Sequence, residues 1–121
     1  MAQDRKRDRI AMKGWVAISA SGEKSLLRGC VSDVSFNGIC VYARKSLRLG
    51  TSVRIRLEFF GRKQLVSEKE LKGSVAWSFK HPSICLFGIL FQEPVAREKF
   101  PALYEFLENA TRRRPARPRN R

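Results

Sequence analysis

Val53-Arg54-Ile55-Arg56-Leu57-Glu58-Phe59 alternates apolar and charged residues without a break. Side chains along an extended strand point to opposite faces in turn, so this segment predicts a strand with one face in a core and one in water. Gly61-Arg62-Lys63 follows as a tight turn. Leu71 to Phe79 alternates again, with Leu71, Gly73, Val75, Trp77 and Phe79 on one side, and Lys80-His81-Pro82-Ser83 makes the next turn. Ile84 to Phe91 is apolar on both faces, the pattern of a central strand or of one covered by a helix. Upstream, Gly14 to Ala20 is a short apolar strand closed by Ser21-Gly22. Ser25 to Val34 is a second strand and Gly38 to Ala43 a third, with turn formers from Asp33 to Gly38 between them. Downstream, Pro101 suits the first turn of a helix. Leu103, Phe106, Leu107 and Ala110 then recur at helical spacing as one apolar stripe, for which the Ile84–Phe91 strand is the expected neighbour. No segment repeats another at a fixed period. Six short strands and one terminal helix predict a mainly β fold: a small six-stranded antiparallel barrel with a C-terminal α-helix as its lid.

The chain has 121 residues, enough for one domain with its own core. No apolar run approaches the roughly 18 residues of a membrane span. The charged N-terminus is followed by no apolar signal region, so a cytoplasmic location is expected. Cys30, Cys40 and Cys85 are odd in number and lack CxxC spacing. They read as small buried hydrophobes rather than a disulfide frame or a zinc site. The net charge is +14, and six arginines in residues 111–121 carry six of those charges, leaving +8 on the other 110 residues. With Pro115, Pro118 and no apolar side chain larger than Ala116, that segment reads as a disordered basic tail. It is either a solvated tail or an electrostatic arm for a nonspecific anionic partner.

Two further elements gain meaning together. Arg5-x-x-x-Arg9 stands six residues before the strand that starts near Trp15, and Asp33-Val34-Ser35-Phe36-Asn37-Gly38 forms a D-x-S-x-x-G turn between the second and third strands. RxxxR alone says nothing in a chain with sixteen arginines. A third, softer element is Gly73-Ser74-Val75-Ala76-Trp77 with Gly88-Ile89-Leu90-Phe91, a penultimate and a last strand. In this order and spacing, over roughly residues 4 to 93, the chain resembles the PilZ domain family, receptors for the bacterial second messenger cyclic di-GMP.

The resemblance implies a PilZ-type barrel over residues 13–93, preceded by a flexible arm over 1–12 that carries RxxxR. A helical region at 94–110 and the basic tail at 111–121 complete the division. It implies that Arg5 and Arg9 clamp guanine edges and phosphates, while Asp33, Ser35 and Gly38 form the floor of the site. Arg7 between the clamp residues is a lesser candidate for phosphate contact, and Trp77 a lesser candidate for the flank. The residue types suit such a ligand independently. A guanidinium fork matches the O6 and N7 acceptors of guanine and clamps or stacks on phosphate and purine. A carboxylate suits the N1 and N2 donors, and a hydroxyl suits phosphate or base. Glycine at 38 leaves room for a ligand beside the backbone, or permits positive φ. No cofactor is implied beyond the nucleotide itself.

Each residue also has a plainer reading. Arg5 and Arg9 read as solvated terminal charges, Asp33 and Ser35 as turn formers that cap their own backbone, and Trp15 and Trp77 as core or cross-strand packing. His81, the one histidine, lies in a Lys-His-Pro turn without clustered carboxylates, which leaves enzyme chemistry without parts. The expected function is therefore a cyclic di-GMP receptor or adaptor whose arm changes conformation on binding and which signals to an unidentified downstream protein in trans. Two alternatives stand beside it. One is a basic nucleic-acid-binding small barrel, against which Phe59, Phe60, Phe79, Phe87 and Phe91 read as core rather than as an exposed stacking row. The other is a PilZ-like adaptor that does not bind nucleotide.

Overall fold

The computed structural model describes residues 8–113. Ser52–Phe60 forms one strand, with Val53, Ile55, Leu57 and Phe59 only 0–3% exposed and Arg54 and Arg56 in solvent. In chain order the elements are β1 (Ile10–Ala11), β2 (Gly14–Ala20), β3 (Leu27–Val34), β4 (Gly38–Ala43), β5 (Ser52–Phe60), β6 (Leu65–Lys80), β7 (Cys85–Phe91) and α1 (Pro101–Arg113). β2 pairs with β3 and β5, β5 with β6, β6 with β7, β7 with β4, and β4 with β3, all antiparallel. Six strands thus close into the expected barrel with one C-terminal helix. β1 adds a short seventh strand within the segment read as an arm, pairing Ile10 with Val34 and Ala11 with Asp33.

Three register shifts bend the strands around this narrow barrel. Ser32 is the extra residue on β3 against β4, one residue at Lys69–Glu70 is extra on β6 against β5, and Ala76 is extra on β6 against β7. An unpaired residue increases local twist and turns a corner. At the second of these Glu70 takes a positive φ of 61°. The bulges also explain where the sequence reading departs from the fold. β6 runs from Leu65, well before Leu71, but its first half is largely polar and no alternation marks it. After Ala76 the parity inverts, so Trp77 and Phe79 leave the side of Leu71 and Val75 and face outward, Phe79 with 61% of its surface exposed. Phe60 is likewise 52% exposed, whereas Phe59, Phe87 and Phe91 are buried as expected. Cys40 and Cys85 are buried, but Cys30 is exposed.

α1 closes one end of the barrel with the predicted stripe. Leu103 and Leu107 are fully buried, and Phe106 meets Phe59 edge-on at 5.4 Å. Tyr104 meets Phe36 edge-on at 5.6 Å, and the Arg97 guanidinium lies over the Tyr104 ring, 4.9 Å from its centre. The helix packs chiefly on β6 and β1 and, through Phe106, on β5. Its first turn holds no acidic residue. Buried Glu68 of β6 supplies the charge instead, its carboxylate accepting the Leu103 N–H at 3.0 Å. A helix start leaves N–H donors unpaired and carries positive partial charge, so this carboxylate both caps α1 and ties it to the sheet.

Glu68→Ala strands that buried N–H and is expected to cost about 1–3 kcal/mol in a urea titration. Glu68→Gln keeps an acceptor oxygen and recovers most of the loss. Equal destabilisation by both variants would show that charge alone, not the hydrogen bond, holds the helix.

Candidate functional site

The D-x-S-x-x-G turn is built by its own serine. The Ser35 N–H donates to the Gly38 carbonyl at 2.8 Å, and the Ser35 hydroxyl oxygen accepts from the amides of Asn37 at 3.1 Å and Gly38 at 3.2 Å. Serine hydroxyls mimic a backbone turn in this way. The hydroxyl proton has a long contact of 3.4 Å to the Gly38 carbonyl. Two outside bonds pin the turn: Phe91 N–H donates to Asn37 O at 2.8 Å, and Val95 N–H to Phe36 O at 2.9 Å. Phe36 itself is buried beneath α1. Gly38 is needed for the sheet. A Cβ there would lie 2.5 Å from the Ile89 carbonyl oxygen of β7, and its φ is not among the positive ones. Neither reason suggested by the sequence, ligand approach or positive φ, is required to explain this glycine.

Asp33 lies outward at the end of β3, between Ala11 of β1 and Cys40 of β4. Because β1 runs antiparallel along Asp33 and Val34, Arg9 emerges beside the carboxylate. Its guanidinium donates to Asp33 Oδ1 at 2.8 Å, and the Ser32 hydroxyl donates to Oδ2 at 3.0 Å. The pair is open to solvent, with 56% of the Arg9 and 24% of the Asp33 side chain exposed. Such pairs contribute about 0–1 kcal/mol, so a ligand can rearrange this one at little cost. Arg5 and Arg7 lie outside the described residues.

Cys40 belongs to the same corner. Burial, and then the negative charge of Asp33, push its thiol pKa up; the Arg9 charge and hydrogen bonds from Ser32 and Arg9 offset part of this. Across the barrel surface one row of paired positions runs Asp33, Cys40, Gly88, Trp77. A Cβ at residue 88 would collide with the pyrrole ring of Trp77, so the indole lies over the bare backbone of Gly88. Trp77 therefore serves cross-strand packing while sharing a face with Asp33, three strand spacings or about 14 Å away. Trp15 is also a cross-strand residue, its indole N–H donating to Glu58 at 3.0 Å and its ring edge-on to Phe60.

The structure thus joins Arg9, Asp33, Ser35 and Gly38 in one corner and places Trp77 farther along its face. The sequence reading marks Cys40 only as a small buried hydrophobe and Gly88 only as part of the last strand, and it gives Ser32 no role in this corner. Only the pairing of β3, β4 and β7 makes them neighbours, although the bulge at Ser32 and the glycine opposite a tryptophan are traces of it. The site is an open face. A cleft of about 860 Å³ opens elsewhere, between β1, the turn at 61–64 and α1.

The fold is a closed six-stranded antiparallel barrel in which Arg9, just before β1, pairs with Asp33 at the head of the D-x-S-x-x-G turn. A match to the PilZ domain model over residues 3–107 identifies the lineage, and the chain belongs to the PilZ domain family, whose general role is cyclic di-GMP reception. Among solved structures the chain is similar to the Bacillus subtilis inhibitor of motility (MotI/DgrA), with a TM-score of 0.69 and 19% identity. The match covers 94% of this chain and 55% of that one, so the chain spans about half the length of that protein, and the likeness shows the fold. No curated protein matches the chain. No helix among the described residues is long and apolar enough to cross a membrane.

Two outcomes are expected from this geometry. Ser35→Ala removes the acceptor for two turn amides and lowers stability by about 1–2 kcal/mol in a thermal melt. Under brief alkylation read by mass spectrometry, exposed Cys30 is modified before Cys40, whose raised pKa leaves less of the reactive thiolate.

Proposed function

We propose that this PilZ domain is a cyclic di-GMP receptor whose nucleotide-bound state is read by another protein. The observation that carries the reading is the 2.8 Å pair between Arg9 and Asp33, in which the two motif halves, 24 residues apart in sequence, meet on one face. Before ligand arrives, each is the other's partner. Guanine offers both a better match: its N1 and N2 donors suit Asp33, and its O6 and N7 acceptors suit the Arg9 fork. The exchange keeps the carboxylate satisfied while turning the guanidinium toward base or phosphate. Four residues of chain reach at most about 14 Å, so Arg5 can act anywhere along the Asp33–Trp77 row, with Arg7 available to phosphate. Ser35, whose proton is only loosely held, can donate to a phosphate without giving up the turn. Trp77 bounds the far side.

Transmission has a physical route. Arg9 precedes β1, and β1 supports α1. The turn contributes Phe36 to the same helix through Tyr104. Closing the arm over the nucleotide therefore loads both supports of α1, and the change in arm and helix is what a partner reads. Nothing in this scheme calls for catalysis.

A nucleic-acid reading also has an observation in its favour. The exposed aromatics that the sequence failed to show are present, since Trp15, Tyr42, Phe60 and Phe79 all stand on the outer surface. Oligonucleotide binding that survives deletion of residues 111–121 would favour that reading. Loss with the tail and a steep salt dependence would indicate nonspecific attraction.

Calorimetry with cyclic di-GMP decides the main reading. The chain is expected to bind it and to reject cyclic di-AMP, whose adenine replaces the O6 acceptor with a donor. Arg5→Ala, Arg9→Ala and Asp33→Ala should each weaken binding about tenfold or more with a cooperative melt retained. No heat with the intact chain would leave an adaptor that does not bind nucleotide. Residues 8–12 should also gain amide protection with ligand, measured by hydrogen exchange.

A further inference from the structure

β7 is apolar on both sides, and its outer side is left uncovered, with Leu90 and the neighbouring Ile84 exposed. The outward positions along it are Leu86, Gly88 and Leu90, with Ile84 just before the strand. By register, Leu86 stands between Tyr42 of β4 and Phe79 of β6, and Gly88 carries the Trp77 indole. Tyr42, Trp77, Phe79, Ile84 and Leu90 are all exposed, Leu90 by 55%. Large apolar groups gathered on three adjacent strands are unusual on a surface that meets only water, and they mark interaction sites.

The charges around the patch have one sign. β4, β7 and the part of β6 from Leu71 to Lys80 contain no Asp or Glu. Lys72 and Lys80 on β6 and Arg44 just after β4 are exposed cations. The nearest carboxylate in the paired rows is Asp33, already held by Arg9. We propose that the outer face of β4, β7 and β6 is a docking surface for a partner protein that presents apolar side chains ringed by carboxylates. An aliphatic centre on β7, flanked by Tyr42 on β4 and by Trp77 and Phe79 on β6 and edged by cations, has the composition of a protein interface. A second copy of the chain would bring cations against cations. Nucleic acid would meet a centre of Ile84, Leu86 and Leu90 that offers aliphatic bulk where bases need flat rings. The inference takes from the proposed function only that a partner exists, and the face is formed without nucleotide.

The test is a titration of the isotope-labelled full chain, free of nucleotide, followed by NMR. The probes are a short synthetic amphipathic helix with a Leu/Phe face and a Glu face, its counterpart with Lys for Glu, and oligothymidylate. The acidic helix is expected to shift amides in 38–43, 77–79 and 84–90. Phe79→Asp and Leu90→Asp, both at exposed positions, should each weaken it about tenfold or more, while Leu65→Asp at the far end of β6 should not. Equal binding of the Lys helix, no shifts on this face, preferred binding of oligothymidylate there, or a dimer in sedimentation that Leu90→Asp dissolves would each overturn the proposal. Failure here leaves the calorimetric result with cyclic di-GMP untouched, and loss of nucleotide binding leaves this result untouched.

Discussion

Closure of the sheet is the constraint that the rest of the molecule obeys. A strand edge exposes unpaired amides and carbonyls, and a barrel removes it by pairing the last strand with the first. With six strands the circle is tight, and the chain meets that curvature with bulges at Ser32, Glu70 and Ala76 and with backbone-to-backbone contact at Gly38. Each device has a consequence beyond geometry. The bulge at Ser32 lets its hydroxyl reach Asp33, and the one at Ala76 turns Trp77 and Phe79 outward.

Rigidity and looseness are divided along the same lines. The turn from Asp33 to Gly38 is held by the serine cap, by two backbone bonds to neighbouring segments and by Phe36 under the helix. Among the described residues, the base of the arm carries a two-residue strand and the solvent-exposed Arg9–Asp33 pair. Under the proposed receptor reading this contrast is useful, since a preformed turn would spare a ligand an ordering cost and a weakly held cation would be recruited cheaply. Glu68 extends the rigid part to α1, replacing the cap that the helix's own first turn lacks.

The outer surface is not uniform. The β5 side carries Arg54 and Arg56 at its outward positions, as a half-buried strand should, whereas the β7 side carries leucine and glycine. Burying one face of a barrel is sufficient for stability, so apolar residues on the other face call for a reason outside the fold. The candidate nucleotide site borders that apolar side through the Asp33–Trp77 row, so the two surfaces share strands β4 and β7.

Alternation, turn chemistry and helical spacing are local, and they were legible. Val53–Phe59, the Asp33–Gly38 turn, the stripe on 103–110 and the barrel with its helix all follow from periods of two and of 3.6 residues. The paired motifs likewise marked the family, because their residues and spacing are carried in the chain itself. Hidden from such reading was whatever depends on which strands become neighbours. One inserted residue inverts every side chain after it, so Trp77 and Phe79 looked inward in sequence and face outward in the barrel. The role of buried Glu68 has no local sign, because the helix N–H that it accepts lies 35 residues away. The seating of α1, chiefly on β6 and β1, was set by closure and by the Glu68 cap rather than by the apolar pattern of either element. The sequence alone therefore determined the six barrel strands in outline, the helix and the lineage, but not β1 or the first half of β6. Only tertiary structure decided which apolar residues stay outside, because exposure is a property of neighbours and not of the residue itself.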